Sequence, residues 1–294
     1  MLIAWPLLAL ATALCECGRD LLLRHLLQGQ GRSVRLVMGA GCLLAALPAW
    51  LLLPLWPMAA GTVHWPQLGP ALLATALVNG VAFWGYGRSL ARGDLSLVVP
   101  LINLSPLVLM GIGPWLLGEW PTARAGSGVL LLAAGALLLA VTGGGRPGPP
   151  LALLTAPGAP TMLLVALLWG LGAGIDKLGV LASGPLPWVI GLNLVVGLPL
   201  LLPALAAGER LAPPGRWPAL VAYGLLGCLG MLCQMLALGS TAVVHVIAIK
   251  RLSTLFSAGV GVLLLGEPLG VLRLPAAALM LAGAVLLLWS GGAG

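Results

Sequence analysis

The sequence predicts an all-α polytopic membrane protein of ten transmembrane helices, arranged as two inverted five-helix repeats. Three observations carry this. Of 294 residues, 60% are hydrophobic and 7% charged, against about 25% charged in a soluble domain, and the mean hydropathy is +1.10. The apolar runs are about 18–23 residues long, the length a helix needs to cross the hydrocarbon layer, and they do not alternate as barrel strands would. Finally, a fifteen-residue stretch recurs in the two halves.

In order, the predicted spans are 2–24, 34–55, 68–90, 95–117, 124–142, 160–181, 186–207, 217–238, 242–265 and 270–290. Residues 1–14 lack a basic leading region, so the first segment reads as a retained helix rather than a cleaved signal. Most connections are short and marked by Pro, Gly or charge, as at Pro213-Pro214-Gly215. The Gly- and Pro-rich run 143–159 is predicted to link a first repeat, 1–142, to a second, 160–294.

The repeat is visible in the residues. Ser105–Glu119, SPLVLMGIGPWLLGE, and Ser253–Glu267, STLFSAGVGVLLLGE, agree at eight of fifteen positions. A weaker echo relates Gly18-Arg19-Asp20 in the first span to Gly174-Ile175-Asp176 in the sixth. Five spans per repeat is odd, so the halves enter the membrane in opposite senses. The loop charges agree. Arg24, Arg32, Arg35, Arg88 and Arg92 follow the first and third spans, while the loops after the sixth and eighth carry none. Inverted repeats are a signature of secondary transporters with a site between the halves. The odd-numbered loops hold nine Arg and the even-numbered ones Arg124 alone, which favours odd loops in the cytoplasm and both termini outside.

The net charge of +7 is accounted for by this loop bias, so nucleic acid is not an expected partner. Cys15, Cys17, Cys42, Cys228 and Cys233 lie in apolar segments without Cys-x-x-Cys or Cys/His spacing, and imply neither disulfide nor metal. No cofactor is expected. A membrane-embedded enzyme would need a convergent nucleophile–base or metal set, and no His-Glu-x-x-His or Gly-x-Ser-x-Gly motif is present.

Two five-helix halves, each with Ser-(Pro/Thr)-Leu…Gly-x-Gly…Leu-Leu-Gly-Glu at its fourth span, resemble the EamA repeats of the drug/metabolite transporter superfamily over nearly the whole chain. The resemblance implies a multi-pass transporter in the inner membrane that moves a small metabolite by alternating access, its partners being the substrate and the bilayer, with one chain supplying both repeats and a monomer compatible with that. Lys250-Arg251-Leu252-Ser253 in the ninth span also resembles the Lys-Arg pair of sugar-phosphate and nucleotide-sugar translocators. In the first repeat the aligned residues are Ile102 and Asn103.

Charges inside a membrane helix cost roughly 2.5–3.5 kcal/mol each on insertion scales and mark pathways. Lys250, Thr254, Ser257 and Gly261 recur at i, i+4, i+7 and i+11 on one face of the ninth span, with Arg251 about 100° around. The basic pair either attracts a substrate carboxylate or phosphate, Arg as a planar fork and Lys as a compact charge, or pairs internally with Asp176, Glu16 or Asp20. His245, off that stripe, reads as a packed histidine before a proton relay. Thr12, Glu16, Asp20 and Arg24 form one polar face of the first span, with Asp20 and Arg24 spaced as an ion pair and Glu16 three residues from Arg19. Glu16 or Asp20 either couples proton movement or is neutralised by Arg19 or by Lys250-Arg251; Glu16 resembles the first-helix Glu of small multidrug exporters.

Further lining candidates are Asn79 and Tyr86 on the track Thr75, Asn79, Ala82, Tyr86, and Tyr223 and Gln234 on the track Tyr223, Gly227, Gly230, Gln234. Trp169 and Asp176 share a face of the sixth span, and Asp176-Lys177 is either a cavity charge or a pair near the helix end. Asn103 sits between Pro100 and Pro106, which free backbone carbonyls for a cavity. Gly170-x-Gly172-x-Gly174 and Gly111-x-Gly113 should allow close helix approach. Glu119 and Glu267, at helix ends, should make turn or hinge contacts. Trp5, Trp56, Trp65, Trp115, Trp120, Trp188, Trp217 and Trp289 should form interfacial belts. A lipid-headgroup flippase is the alternative to metabolite export.

Overall fold

The computed structural model describes residues 4–28, 33–56, 63–92, 98–142, 157–209, 214–265 and 273–290. Glu267, Arg32, Arg146, Arg210 and linker residues 143–156 lie outside them. The first repeat comprises α1 (Ala4–Leu27), α2 (Val34–Leu52), α3 (Trp65–Arg92), a 3-10 segment (Val99–Leu104) running into α4 (Ser105–Leu117), and α5 (Ala123–Thr142). The second comprises α6 (Ala159–Ser183), α7 (Pro185–Ala206), α8 (Trp217–Leu238), a ninth span split into α9 (Val243–Lys250) and α10 (Ser253–Leu265), and α11 (Arg273–Ser290). No strand occurs among the described residues.

Local chemistry sets the ends. The Ser33 hydroxyl accepts the Leu36 N–H at 3.1 Å and caps α2. Gly184, at φ +83°, ends α6, and Pro185 opens α7 at once, where its missing N–H costs nothing. Gly118, at φ +68°, ends α4. Its N–H reaches the Pro114 carbonyl at 3.1 Å, the bond of an αL cap, and that of Glu119 reaches Gly113 at 3.3 Å.

The helix packing reveals the symmetry. The most extensive pairings are α5 with α11, α3 with α6, α1 with α8 and α2 with α7. Advancing each span by one repeat turns the first–eighth pair into the sixth–third pair, and returns the second–seventh and fifth–tenth pairs to themselves. That is the contact pattern of a pseudo-two-fold axis in the membrane plane. The self-paired helices run antiparallel and touch through small residues. A Cβ on Gly128 would lie 2.8 Å from the Gly283 oxygen, and one on Gly283 2.5 Å from the Gly128 oxygen. Equivalent polar tracks also align, since Thr75, Asn79, Ala82 and Tyr86 match Tyr223, Gly227, Gly230 and Gln234 at the register that aligns Ser105 with Ser253.

One end of the bundle is basic. Arg216 donates to the Gln28 carbonyl at 3.0 Å and to that of His25, tying the start of α8 to the end of α1. Ser89 donates to Gly158 at 2.8 Å, joining the end of α3 to the start of α6. There Glu209, beyond α7, accepts from Ser33 and Arg35, and these bonds, Ser33 first, lower its carboxyl below the ordinary value.

Two expectations require correction. The Gly111-x-Gly113 pair makes no close helix contact: nothing would lie within 4 Å of a Cβ on Gly111. The glycines of α6 do, with Gly170 against Val108, Gly172 against Asn79 and Gly174 against Leu116. Trp65, Trp115, Trp120, Trp217 and Trp289 are exposed as an interfacial belt requires, but Trp5 and Trp188 are buried. Gly179 leaves room for the Trp188 ring, whose indole N–H finds a partner in Asp176.

Candidate functional site

A central cavity is walled by α1, α2, α3, α6, α7, α8, α9 and Arg251. Its charged groups are Glu16, Arg19, Asp20, Asp176, Lys250 and Arg251; Tyr86, Trp169, Tyr223, Asn79 and Gln234 supply polar and aromatic surface. None of its lining comes from α5 or α11.

The charges divide into a paired set and an unpaired set. Glu16 Oε1 lies 3.0 Å from Arg19 Nη1 and 3.4 Å from Lys250 Nζ. Lys250 Nζ also donates to Gln234 Oε1 at 2.7 Å. Arg19 donates through Nη2 to Tyr223 Oη at 3.1 Å, its guanidinium 4.8 Å from the ring centroid. This network crosses from α1 to α8 and α9. The unpaired set is different. Among the described residues, Asp20, Asp176 and Arg251 make no ion pair. Asp20 accepts from Tyr86 Oη, and Asp176 from Trp188 Nε1 at 3.3 Å. Arg251 donates through Nε and Nη2 to Ser105 Oγ at 3.0 and 2.7 Å, and lies 5.9 Å from the Trp169 ring, which also packs on Tyr86 and Phe83.

Beneath the cavity the two repeats meet where both equivalent spans depart from α-helix. The ninth span breaks at Arg251 and Leu252, and the fourth is 3-10 up to Leu104. Asn103, the counterpart of Arg251, donates to Thr254 Oγ1 at 2.9 Å, while Arg251 crosses to Ser105. Each residue of the equivalent pair thus bonds two or three positions along on the opposite repeat, as an isologous contact does.

A second inter-repeat contact lies at the non-basic end. The αL turn at Gly118 projects Glu119 onto the start of α9, where its carboxylate accepts the Val243 N–H at 2.8 Å and pairs with Lys177. Lys177 donates further to the Thr241 carbonyl at 2.8 Å. A carboxylate at a helix N-terminus is favoured by the free N–H groups there.

A charged central cavity lies between inverted repeats that cross at broken helices. A model of the EamA-like transporter family matches residues 3–141 and 156–289. The chain belongs to that family. It is a multi-pass membrane transporter of the drug/metabolite type. No curated protein matches it. A solved structure described only as the crystal structure of a protein superposes with a TM-score of 0.72 at 16% identity, covering 96% of this chain and 95% of that one; it shows the shared fold.

Within this EamA-like transporter, Lys250, Arg251, Asn79, Tyr86, Trp169, Asp176, Tyr223, Gln234, Glu16 and Asp20 all line the cavity. Asn103 and Thr254 do not. They bond to each other in the inter-repeat joint, and the Pro100 carbonyl is taken by Asn103 at 2.9 Å rather than offered to the cavity. The continuous stripe expected on the ninth span is interrupted, because the turn at Arg251 and Leu252 separates Lys250 from Thr254. The Asp20–Arg24 ion pair is absent among the described residues; Tyr86 takes Asp20 instead. Asp176 and Lys177 part company, one to the cavity and one to Glu119. His245 packs on Trp5, with Nε2 3.0 Å from Ser290 Oγ. Arg19 and Ser105 were not singled out as site residues. The Glu16/Arg19 spacing signals the first, and the shared register of Ser105 with Ser253 the second.

Proposed function

We propose that the protein exports a small zwitterionic metabolite, such as an amino acid, across the inner membrane by alternating access, with proton coupling. The observation that carries this is the unpaired set: Arg251 without a carboxylate and Asp20 and Asp176 without a cation line the same cavity. A substrate carboxylate seated on the Arg251 fork and an ammonium on a carboxyl across the cavity would complete both. Trp169, Tyr86 and Phe83 give the ammonium side an aromatic wall. The low exposure of Asp20, Asp176, Gln234 and Arg251, at 4–7% each, supports a walled cavity over the laterally open groove a flippase needs.

Of the two coupling candidates, Asp20 fits better. Glu16 is already shared between Arg19 and Lys250, so it serves as a fixed countercharge. Asp20 has one hydroxyl donor and faces the cavity, where a proton and a substrate ammonium can exchange for it.

The test is uptake into inverted vesicles of labelled amino acids, organic acids and cationic drugs, with and without a proton gradient. Accumulation of zwitterions, gradient-dependent in wild type and gradient-independent in Asp20→Asn, is the expected result. Accumulation of organic anions alone, or unchanged coupling in Asp20→Asn, overturns the respective part.

A further inference from the structure

Outside the transport cavity, a groove opens on the lipid-facing side near the basic end, lined by Arg35 of α2, Gly80, Val81, Trp84 and Arg88 of α3, and Leu200 of α7. We infer that it binds one anionic glycerophospholipid, phosphate on Arg88 and Arg35 and an acyl chain running down α3.

The charge is the first argument. Arg88 has no carboxylate partner among the described residues. Its guanidinium instead lies 5.1 Å from the Trp84 ring, and the side chain is half-buried at the groove. Arg35 uses one nitrogen on Glu209 and its side chain remains 42% exposed. Two Arg from different helices thus bracket one opening, and Arg matches the geometry of a phosphodiester through paired N–H donors.

The floor is the second argument. Below Arg88 the exposed residues of α3 are Trp84, Val81, Leu77 and Leu73, at steps of three or four, so one apolar track descends from the headgroup level toward the bilayer centre. Gly80 widens it, since a Cβ there would meet nothing within 4 Å. A polar solute would leave this track facing hydrocarbon; a lipid fills both halves. The leaflet is the third argument. Arg24, Arg92 and Arg216 belong to the same end, which the positive-inside rule assigns to the cytoplasm, where anionic lipids concentrate.

The full-length protein in neutral detergent, examined by native mass spectrometry with added phosphatidylglycerol or phosphatidylcholine, tests the assignment. Wild type should retain one phosphatidylglycerol at least about tenfold in preference to phosphatidylcholine. Arg88→Gln and Gly80→Leu should each abolish that preference, the first by removing the cation and the second by filling the groove. Arg124→Gln, at the opposite end, should keep it. Melting curves without lipid check that the variants fold, and Gly80→Leu projects into open space, so it provides a folded variant if Arg88→Gln does not. Equal retention of both lipids by wild type, or undiminished preference in a folded Arg88→Gln or Gly80→Leu protein, overturns the proposal.

Discussion

The fourth and ninth spans are equivalent by sequence and by position, yet they differ in what they bring to the cavity. Both depart from α-helix at the same register, and both cross to the other repeat there. The ninth contributes Lys250 and Arg251; the fourth has Ile102 and Asn103, and neither reaches the cavity. The first and sixth spans differ likewise. Asp20 and Asp176 correspond and both face the cavity, but Arg19 has an isoleucine, Ile175, as its counterpart. Symmetry supplies the frame and the broken helices, whereas the chemistry departs from it. An inverted pair of halves can exchange two similar conformations, while binding needs only one fixed arrangement of charges.

The largest effect should come from Arg251. Arg251→Ala removes the unpaired cation and should reduce vesicle uptake to background, whereas Asn103→Ala, at the equivalent place, should cost only a few-fold. Equal losses would mean that the joint matters and the charge does not. Next is Glu16→Gln, which leaves Arg19 and Lys250 without their shared carboxylate. Breaking a buried pair costs about 3–5 kcal/mol, so the detergent melting temperature should fall sharply, with more loss than Asp176→Asn, which breaks no ion pair. A smaller change is expected from Glu119→Gln. It gives up the Lys177 pair but keeps an acceptor for Val243, and should alter uptake a few-fold through conformational balance, with little loss of expression. Smallest is Glu209→Gln. The Glu209 carboxyl is lowered by its partners, so its contribution is present above its ordinary value of 4.5 and is lost as pH falls through the lowered value. Because the group lies half-buried at the protein surface, the effect is small: the variant should melt slightly below wild type at neutral pH and together with it once the pH falls below the lowered value.

Much of this was legible in the sequence. Apolar run length gave the spans, because hydrocarbon thickness is a hard constraint on helix length. The repeated Leu-Leu-Gly-Glu endings gave the inverted halves. The intramembrane charges named most of the cavity wall, since burying a charge requires a reason. The missed features share a cause. Whether Asn103 faces the cavity or Thr254, whether Trp188 lies in an interface or over Gly179, and whether Asp20 pairs with Arg24 or Tyr86 all depend on which helix lies opposite. Spacing along one helix does not carry that information. The break at Arg251 is likewise invisible to a heptad count, as Leu252 and Ser253 are compatible with continued helix.

The bonds made by α1 bear on how the protein is made. Its Arg19 is completed by Tyr223, 204 residues later in the chain, and its Glu16 by Lys250. At 5–20 residues per second, α1 waits roughly 10–40 s for the partner of Arg19 to be synthesised. Asp20 gains Tyr86 after 66 residues, but through the rest of that interval Arg19 and Glu16 have only each other and the translocation machinery. A chain truncated after residue 142 should therefore leave α1 accessible to aqueous thiol reagents at Cys17, and the full chain should protect it. The first span in sequence would then be among the last to settle in the bilayer.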